Sequence, residues 1–222
     1  MEVSFEINGK AFNEYSEQDD KLNETIAADV ILNFMQGAFE LPRCDATILQ
    51  SKSLPKSLLK TAVDIIDETI GELYAEHNGS NWKREKIKEL SEPGLTYVFL
   101  THLKSSKTVA FICFKLCLDT ENELVLYLYE IHVTRGFQGQ GIGQYLINQF
   151  HKLFTDLVHS SNRLYNQLSG TALTVFSDNR RALSWYETMG YQLTEDSPVD
   201  KVLRSGKVIK PDYYLLKRRT AS

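Results

Sequence analysis

The chain has 222 residues, 42% of them hydrophobic, with 25 Lys and Arg against 29 Asp and Glu and a net charge of −4. That length and apolar content support one sizeable core, and no apolar run approaches the roughly 18 residues of a membrane span, so a soluble intracellular protein with no membrane partner is expected. The acidic balance argues against a general nucleic-acid binder and leaves room for an acidic groove that attracts cations, while Cys44, Cys113 and Cys117 sit at no spacing that suggests zinc or a disulfide framework, so no metal is expected and Cys113 and Cys117 read as core thiols.

In chain order, Leu22, Ile26, Val30 and Phe34 recur every four residues and predict a helix with one apolar face. Ala46–Gln50 reads as a short strand. Ser53 and Pro55 then open a long helix carrying Leu58, Ala62, Ile65, Ile66, Ile70 and Leu73, which is expected to end near His77-Asn78-Gly79. Trp82–Leu90 is a charged helix, its Lys83, Arg84 and Lys86 interleaved with acids like a solvated face. Glu92-Pro93-Gly94 breaks it before Thr96–Thr101, Val109–Leu118 and Leu124–Val133, three β-rich runs expected as an antiparallel meander.

After Gly136 the apolar spacing turns helical at Ile142, Leu146, Phe150, Leu153 and Leu157. A strand at Ala172–Phe176, a helix over Asn179–Met189 stopped at Gly190, a short strand at Tyr191–Leu193 and a last strand at Asp212–Lys217 follow. The order predicts an α+β fold with a crossover in its second half. Residues 1–45 form an N-terminal extension whose helix packs on the core, 46–219 the main domain and 220–222 a tail.

The most informative stretch runs from Glu130 to Gln144. A strand ends, polar residues follow, and Gln138, Gly141 and Gly143 lead directly into an amphipathic helix. Glycines there let the main chain pass close to a bulky anion, which free N–H groups and the positive helix end attract. The same glycines would also serve a plain strand-to-helix turn. There is no Gly-Lys-Ser/Thr ending of a P-loop, and the preceding strand belongs to a meander rather than opening a βαβ unit.

Gln138-x-x-Gly141-x-Gly143, followed by Leu173-Thr-Val-Phe176 and Asn179-x-x-Ala182-x-x-x-Tyr186-Glu-x-x-Gly190-Tyr191, resembles the Gcn5-related N-acetyltransferase (GNAT) family. The resemblance covers roughly Ala46 to Arg219. It implies a mixed, largely antiparallel sheet of about seven strands flanked by helices, and acetyl-CoA as co-substrate with no metal. By resemblance, Ile131, His132 and Val133 bond the pantetheine arm, Gly139, Gln140, Gly141, Ile142, Gly143 and Gln144 hold the pyrophosphate, and Asn179 bonds the cofactor from the other side. Glu130, at the end of the central strand, is the expected general base, directly or through water. Tyr186 is the expected acid for the departing sulfur; an ordinary phenol, with a pKa near 10, can serve.

Within that family, Leu73-Tyr74, Asn81–Lys86, Val125–Ile131, Leu173–Phe176 and Asp212–Arg219 are similar to the N-alpha-acetyltransferase D group, which acetylates the N-terminal serine of histones 4 and 2A (Ser-Gly-Arg-Gly) and carries an extra N-terminal helix. The likeness implies Tyr74, Tyr129, Thr174 and Tyr213 as the peptide slot, with Tyr127 and Ser197 beside them. It implies Asp119, with Glu121 and Glu123, as acids for the substrate arginine. It further implies histone tails as partners, a monomer without auxiliary subunit, and a place in cytoplasm and nucleus. A lysine or small-molecule amine as acceptor, and a non-catalytic module binding CoA or a histone tail, are the competing readings.

Overall fold

The computed structural model describes residues 1–219; the expected tail at 220–222 lies outside the described residues. The chain opens with a hairpin, β1 (Glu2–Ile7) against β2 (Lys10–Glu14). The helix α1 (Asp20–Phe34) follows, capped by the Asp19 carboxylate accepting from Leu22 N at 2.9 Å. Then come β3 (Cys44–Gln50), α2 (Lys56–Asn78) and α3 (Trp82–Glu89). The meander is β4 (Thr96–His102), β5 (Lys107–Leu118) and β6 (Leu124–Val133). The second half holds α4 (Ile142–Val158), β7 (Gly170–Phe176), α5 (Arg180–Thr188), β8 (Gln192–Leu193), a two-stranded hairpin of β9 (Lys201–Val202) and β10 (Val208–Ile209), and β11 (Tyr213–Arg219).

Seven strands make one sheet in the order β3-β4-β5-β6-β7-β11-β8. Every neighbouring pair is antiparallel except β6 and β7, joined in parallel by the α4 crossover. The expected α+β class and strand count hold. Two hairpins were not expected: β1–β2, and β9–β10 outside the main sheet.

The sheet separates two apolar layers. On one face Leu22, Ile26 and Val30 of α1 meet Leu146, Phe150 and Leu157 of α4, together with Val98, Ile112 and Leu126 from the strands. On the other, Ala62, Val63 and Ile66 of α2 and Trp82 of α3 cover Tyr97, Phe99, Phe111 and Cys113. The extension is part of this core, since Phe5, Ile7, Tyr15 and Phe39 are all buried in the first layer. Tyr15 Oη donates to Leu116 O at 3.1 Å, and Tyr165 Oη donates to Asp29 Oδ2 at 2.6 Å, tying the extension to β5 and to the segment after α4.

Two irregularities set up the site. Ile70 has φ −135° and ψ 19°, which kinks α2. At the next residue, Gly71, a Cβ would crowd Asp67 Oδ1 at 2.5 Å and make only ordinary contact with the Trp82 indole at 3.5 Å. The second irregularity is a β-bulge in β6. Cys113 faces Glu130 and Phe114 faces Leu128, leaving Tyr129 as the extra residue. Strict alternation would put Tyr129 and Glu130 on opposite faces; the bulge puts both on the α2 side, with Tyr127 and His132.

Candidate active site

Pairing between β6 and β7 stops at Leu128 and Leu173, although β6 continues to Val133 and β7 to Phe176. The strands part there, and their facing edges open onto a cavity of about 950 Å³. One half is bounded by the glycine turn, the start of α4 and α5; the other by the kinked end of α2, by α3 and by the tyrosines of β6 and β11.

In the first half Gly139 (φ 74°) and Gly141 (φ 80°) are left-handed, and no atom lies within 4 Å of where a Cβ would project from either. Gly141 stands at the N-cap of α4 with no side-chain cap, so the helix presents its first amides unsatisfied. Gln138 fixes the turn: its Nε2 donates to Val133 O at 2.9 Å and its Oε1 accepts from Arg181 Nη1 at 3.3 Å. Gln144 Oε1 accepts from Trp185 Nε1 at 3.2 Å, linking α4 to α5. Asn179 lines the cavity while its Oδ1 caps α5 by accepting from Ala182 N at 3.2 Å. Ile131, His132, Val133, Gly139, Gly141, Ile142, Gly143 and Gln144 all border the cavity; Gln140 is the one residue of the expected set whose side chain does not.

In the second half a buried polar network surrounds Glu130. Its Oε1 accepts from Tyr74 Oη at 2.8 Å and lies 2.8 Å from Lys86 Nζ, and its Oε2 lies 2.6 Å from His132 Nε2. His132 Nδ1 in turn meets Thr69 Oγ1 of α2 at 2.7 Å. Lys86 also holds Glu89 Oε1 at 2.8 Å and sits 4.6 Å over the Tyr74 ring. Burial by itself raises the Glu130 pKa, but Lys86 and His132 outweigh it and bring it to about 2.

One expectation from sequence is corrected here. Lys86 does not belong to a solvated face, since its side chain is 6% exposed. Glu130 is held as an anion at the centre of this network, beside Tyr74, Lys86 and His132.

Tyr186 is buried, lines the cavity and has no hydrogen-bonding partner for its hydroxyl among the described residues. Burial pushes its phenol well above the usual value, so it stays protonated and available as a donor. Tyr74, Tyr127, Tyr129, Thr174 and Tyr213, the residues expected at the slot, all border the cavity. Tyr127 Oη and Thr174 Oγ1 are 2.5 Å apart, the Tyr127 and Tyr129 rings 5.5 Å, and Tyr74 stacks on Trp82 at 4.9 Å.

Asp119 and Ser197 are not at the cavity. Asp119 accepts from the amides of Glu121 at 3.0 Å and Glu123 at 2.9 Å, and holds Lys217 Nζ at 2.5 Å. Glu121 and Glu123 share that lysine and also pair with Arg219. The three carboxylates thus share two cations, Lys217 and Arg219, within the fold and pin β11 to the turn before β6. Ser197 Oγ accepts from Leu215 N at 3.0 Å, closing a loop over β11. Conversely, the cavity takes in Thr69, Lys86, Glu89 and Arg181, which were not singled out from sequence. For Lys86 the signal existed: Trp82, Lys86 and Leu90 share one helical face, and both flanking residues are apolar.

Residues 94–193, which hold the meander, the glycine turn and α5, match the family model described as an acetyltransferase (GNAT) domain. This segment is a GNAT acetyltransferase domain. A relative is the N-alpha-acetyltransferase 40 of Saccharomyces cerevisiae, 33% identical over 163 residues, which are 66% of this chain and 56% of that protein. The chain thus spans little more than half the length of that relative. Among solved structures, Arabidopsis thaliana NAA60 in complex with a bisubstrate analogue matches with a TM-score of 0.53 and 14% identity, over 80% of this chain and all of that one. PH1933 from Pyrococcus horikoshii OT3 matches with the same TM-score and 19% identity, over 80% of this chain and all of that one. At these identities the structures establish the GNAT fold.

Proposed function

We propose that the chain is an N-alpha-acetyltransferase that carries acetyl from acetyl-CoA to the α-amine of an N-terminal serine, with the Ser-Gly-Arg-Gly tails of histones 4 and 2A as its substrates. The observation that carries the reading is the single cavity between β6 and β7, whose two halves suit two different ligands and meet at Glu130 and Tyr186. The glycine turn and the bare start of α4 suit a pyrophosphate. The unpaired edges of β6 and β7 suit a pantetheine amide chain. The tyrosine-walled slot suits a small, extended peptide end. The likeness to the yeast N-alpha-acetyltransferase 40 supports the α-amine as acceptor.

The chemistry follows from these positions. An α-amine of pKa 7.7–8.0 is partly neutral at physiological pH, so its proton can leave to water without a strong protein base. Glu130 and its partners give the amine a fixed hydrogen-bond acceptor at the inner end of the slot. The nitrogen attacks the thioester carbonyl and an amide of the free β6 edge stabilises the oxyanion; the new C–N centre loses its extra N–H proton to Glu130 or water, and the C–S bond breaks as Tyr186 O–H donates its proton to the sulfur and regains one from water.

The test is transfer from acetyl-CoA to a peptide that begins Ser-Gly-Arg-Gly and carries a lysine further along, beside the same peptide with a blocked N-terminus. Transfer to the free peptide alone is expected. Equal transfer to the blocked peptide through a lysine side chain rejects the α-amine reading. Binding of acetyl-CoA without peptide-dependent thiol release rejects catalysis.

A further inference from the structure

The reading above needs a carboxylate for the substrate's third residue, an arginine, and the acids expected for it are committed elsewhere. Asp119 is 5% exposed and closed off by Lys217. Two carboxylates line the cavity, Glu130 and Glu89. Glu130 is also excluded: it is 5% exposed, already holds Tyr74, Lys86 and His132, and its remaining acceptor capacity faces the α-amine in the reading above.

Glu89 differs in every respect. It is 38% exposed, and its one cationic partner, Lys86, is shared with Glu130. It stands at the last residue of α3, where the negative end of the helix disfavours an acid. Burial and the neighbouring Glu130 and Glu92 leave its carboxyl raised in spite of Lys86. An acid kept where its own helix and two neighbours oppose its charge, beside one shared lysine, gains from a further cation.

The position also fits. Glu89 and Glu130 hold the same Nζ, each at 2.8 Å, so they mark the outer and inner ends of one short wall. A tail with its α-amine beside Glu130 carries its third residue about 7 Å away along an extended backbone, a span comparable with the step from Glu130 to the more exposed Glu89. Glu92, whose Oε2 accepts from Tyr129 Oη at 3.2 Å, extends the acidic edge there.

We infer that Glu89 is the residue that recognises the cationic third side chain of the peptide substrate, an inference that rests on the N-alpha-acetyltransferase reading. The experiment compares acetylation of Ser-Gly-Arg-Gly and Ser-Gly-Gln-Gly peptides by the full chain and by Glu89→Gln. A charge-assisted hydrogen bond lost at this position is expected to raise the KM for the arginine peptide about tenfold. The KM for the glutamine peptide and for acetyl-CoA should stay as they are, so the preference for arginine collapses. Glu89→Asp, which keeps the charge on a shorter arm, should restore part of it. An equal KM change for both peptides in Glu89→Gln, or none for either, overturns the inference while leaving the function reading intact. Absence of transfer to both peptides by the unmodified chain refutes the function reading and this inference with it.

Discussion

Replacing Lys86 by Met keeps most of the volume of the side chain and removes the cation that both cavity carboxylates share. Glu130 would remain 5% exposed with only Tyr74 and His132 to hold its charge. Returning its pKa from about 2 to the ordinary ~4.3 forfeits roughly 3 kcal/mol, at the lower edge of the ~3–5 kcal/mol that breaking a buried pair costs. Because the folded pKa is depressed, this stabilisation is present above about pH 4.3 and is lost as the pH falls toward 2. Urea unfolding of Lys86→Met should therefore show a deficit of about 3 kcal/mol at pH 7 that shrinks on acidification. Combining it with Glu130→Gln should cost less than the sum of the single changes. A deficit below about 0.5 kcal/mol at pH 7, or one unchanged at pH 3, would refute the account of Glu130 as an anion held by Lys86.

Four further outcomes are expected. Tyr186→Phe should lower kcat by about 100-fold with the KM for acetyl-CoA unchanged; stopped-flow thiol release checks this, and an undiminished kcat removes Tyr186 from the mechanism. Gly141→Ala places a side chain at φ 80°, costing about 1–2 kcal/mol of strain. It should raise the KM for acetyl-CoA more than the fall in melting temperature accounts for. Asp119→Asn should cost about 1–3 kcal/mol by leaving Lys217 partly uncompensated, with the peptide KM unaltered, measured by chemical denaturation beside steady-state kinetics. His77 of α2 lies 3.0 Å from Asp178 and 3.4 Å from Asp212; burial pulls its pKa down, but the two carboxylates outweigh that and leave it raised. Its contribution should be complete below about pH 6.5 and fade as the pH rises through the raised value. The difference in melting temperature between the unmodified chain and His77→Gln should narrow accordingly.

The elements that govern the cofactor half were legible because their signals are local. The apolar stripe of α4, the Gln138 to Gly143 turn and the Asn179 cap each lie within a few consecutive residues. The β1–β2 hairpin was equally legible and was missed: Val3, Phe5 and Ile7 alternate before Asn8-Gly9, whose φ values of 51° and 77° are those of the turn that dipeptide favours. The acceptor half was less legible because it depends on register and long-range pairing. Whether Asp119 faces a ligand or Lys217 is decided nearly a hundred residues away, in β11. Lys86 was hidden in a charged run, although its spacing from Trp82 pointed inward. The bulge at Tyr129 leaves no mark in the strand's own alternation.

That bulge makes the chemistry of β6 a matter of parity. On its N-terminal side the odd-numbered residues Val125 and Tyr127 face α2; on its C-terminal side the even-numbered Glu130 and His132 do. The same extra residue turns Ile131 and Val133 toward α4, beneath the glycine turn. Removing a single residue here would keep the sheet and exchange its two faces from that point on, placing Glu130 among the α4 apolar side chains. Acceptor wall and cofactor wall are thus kept apart by a count of one.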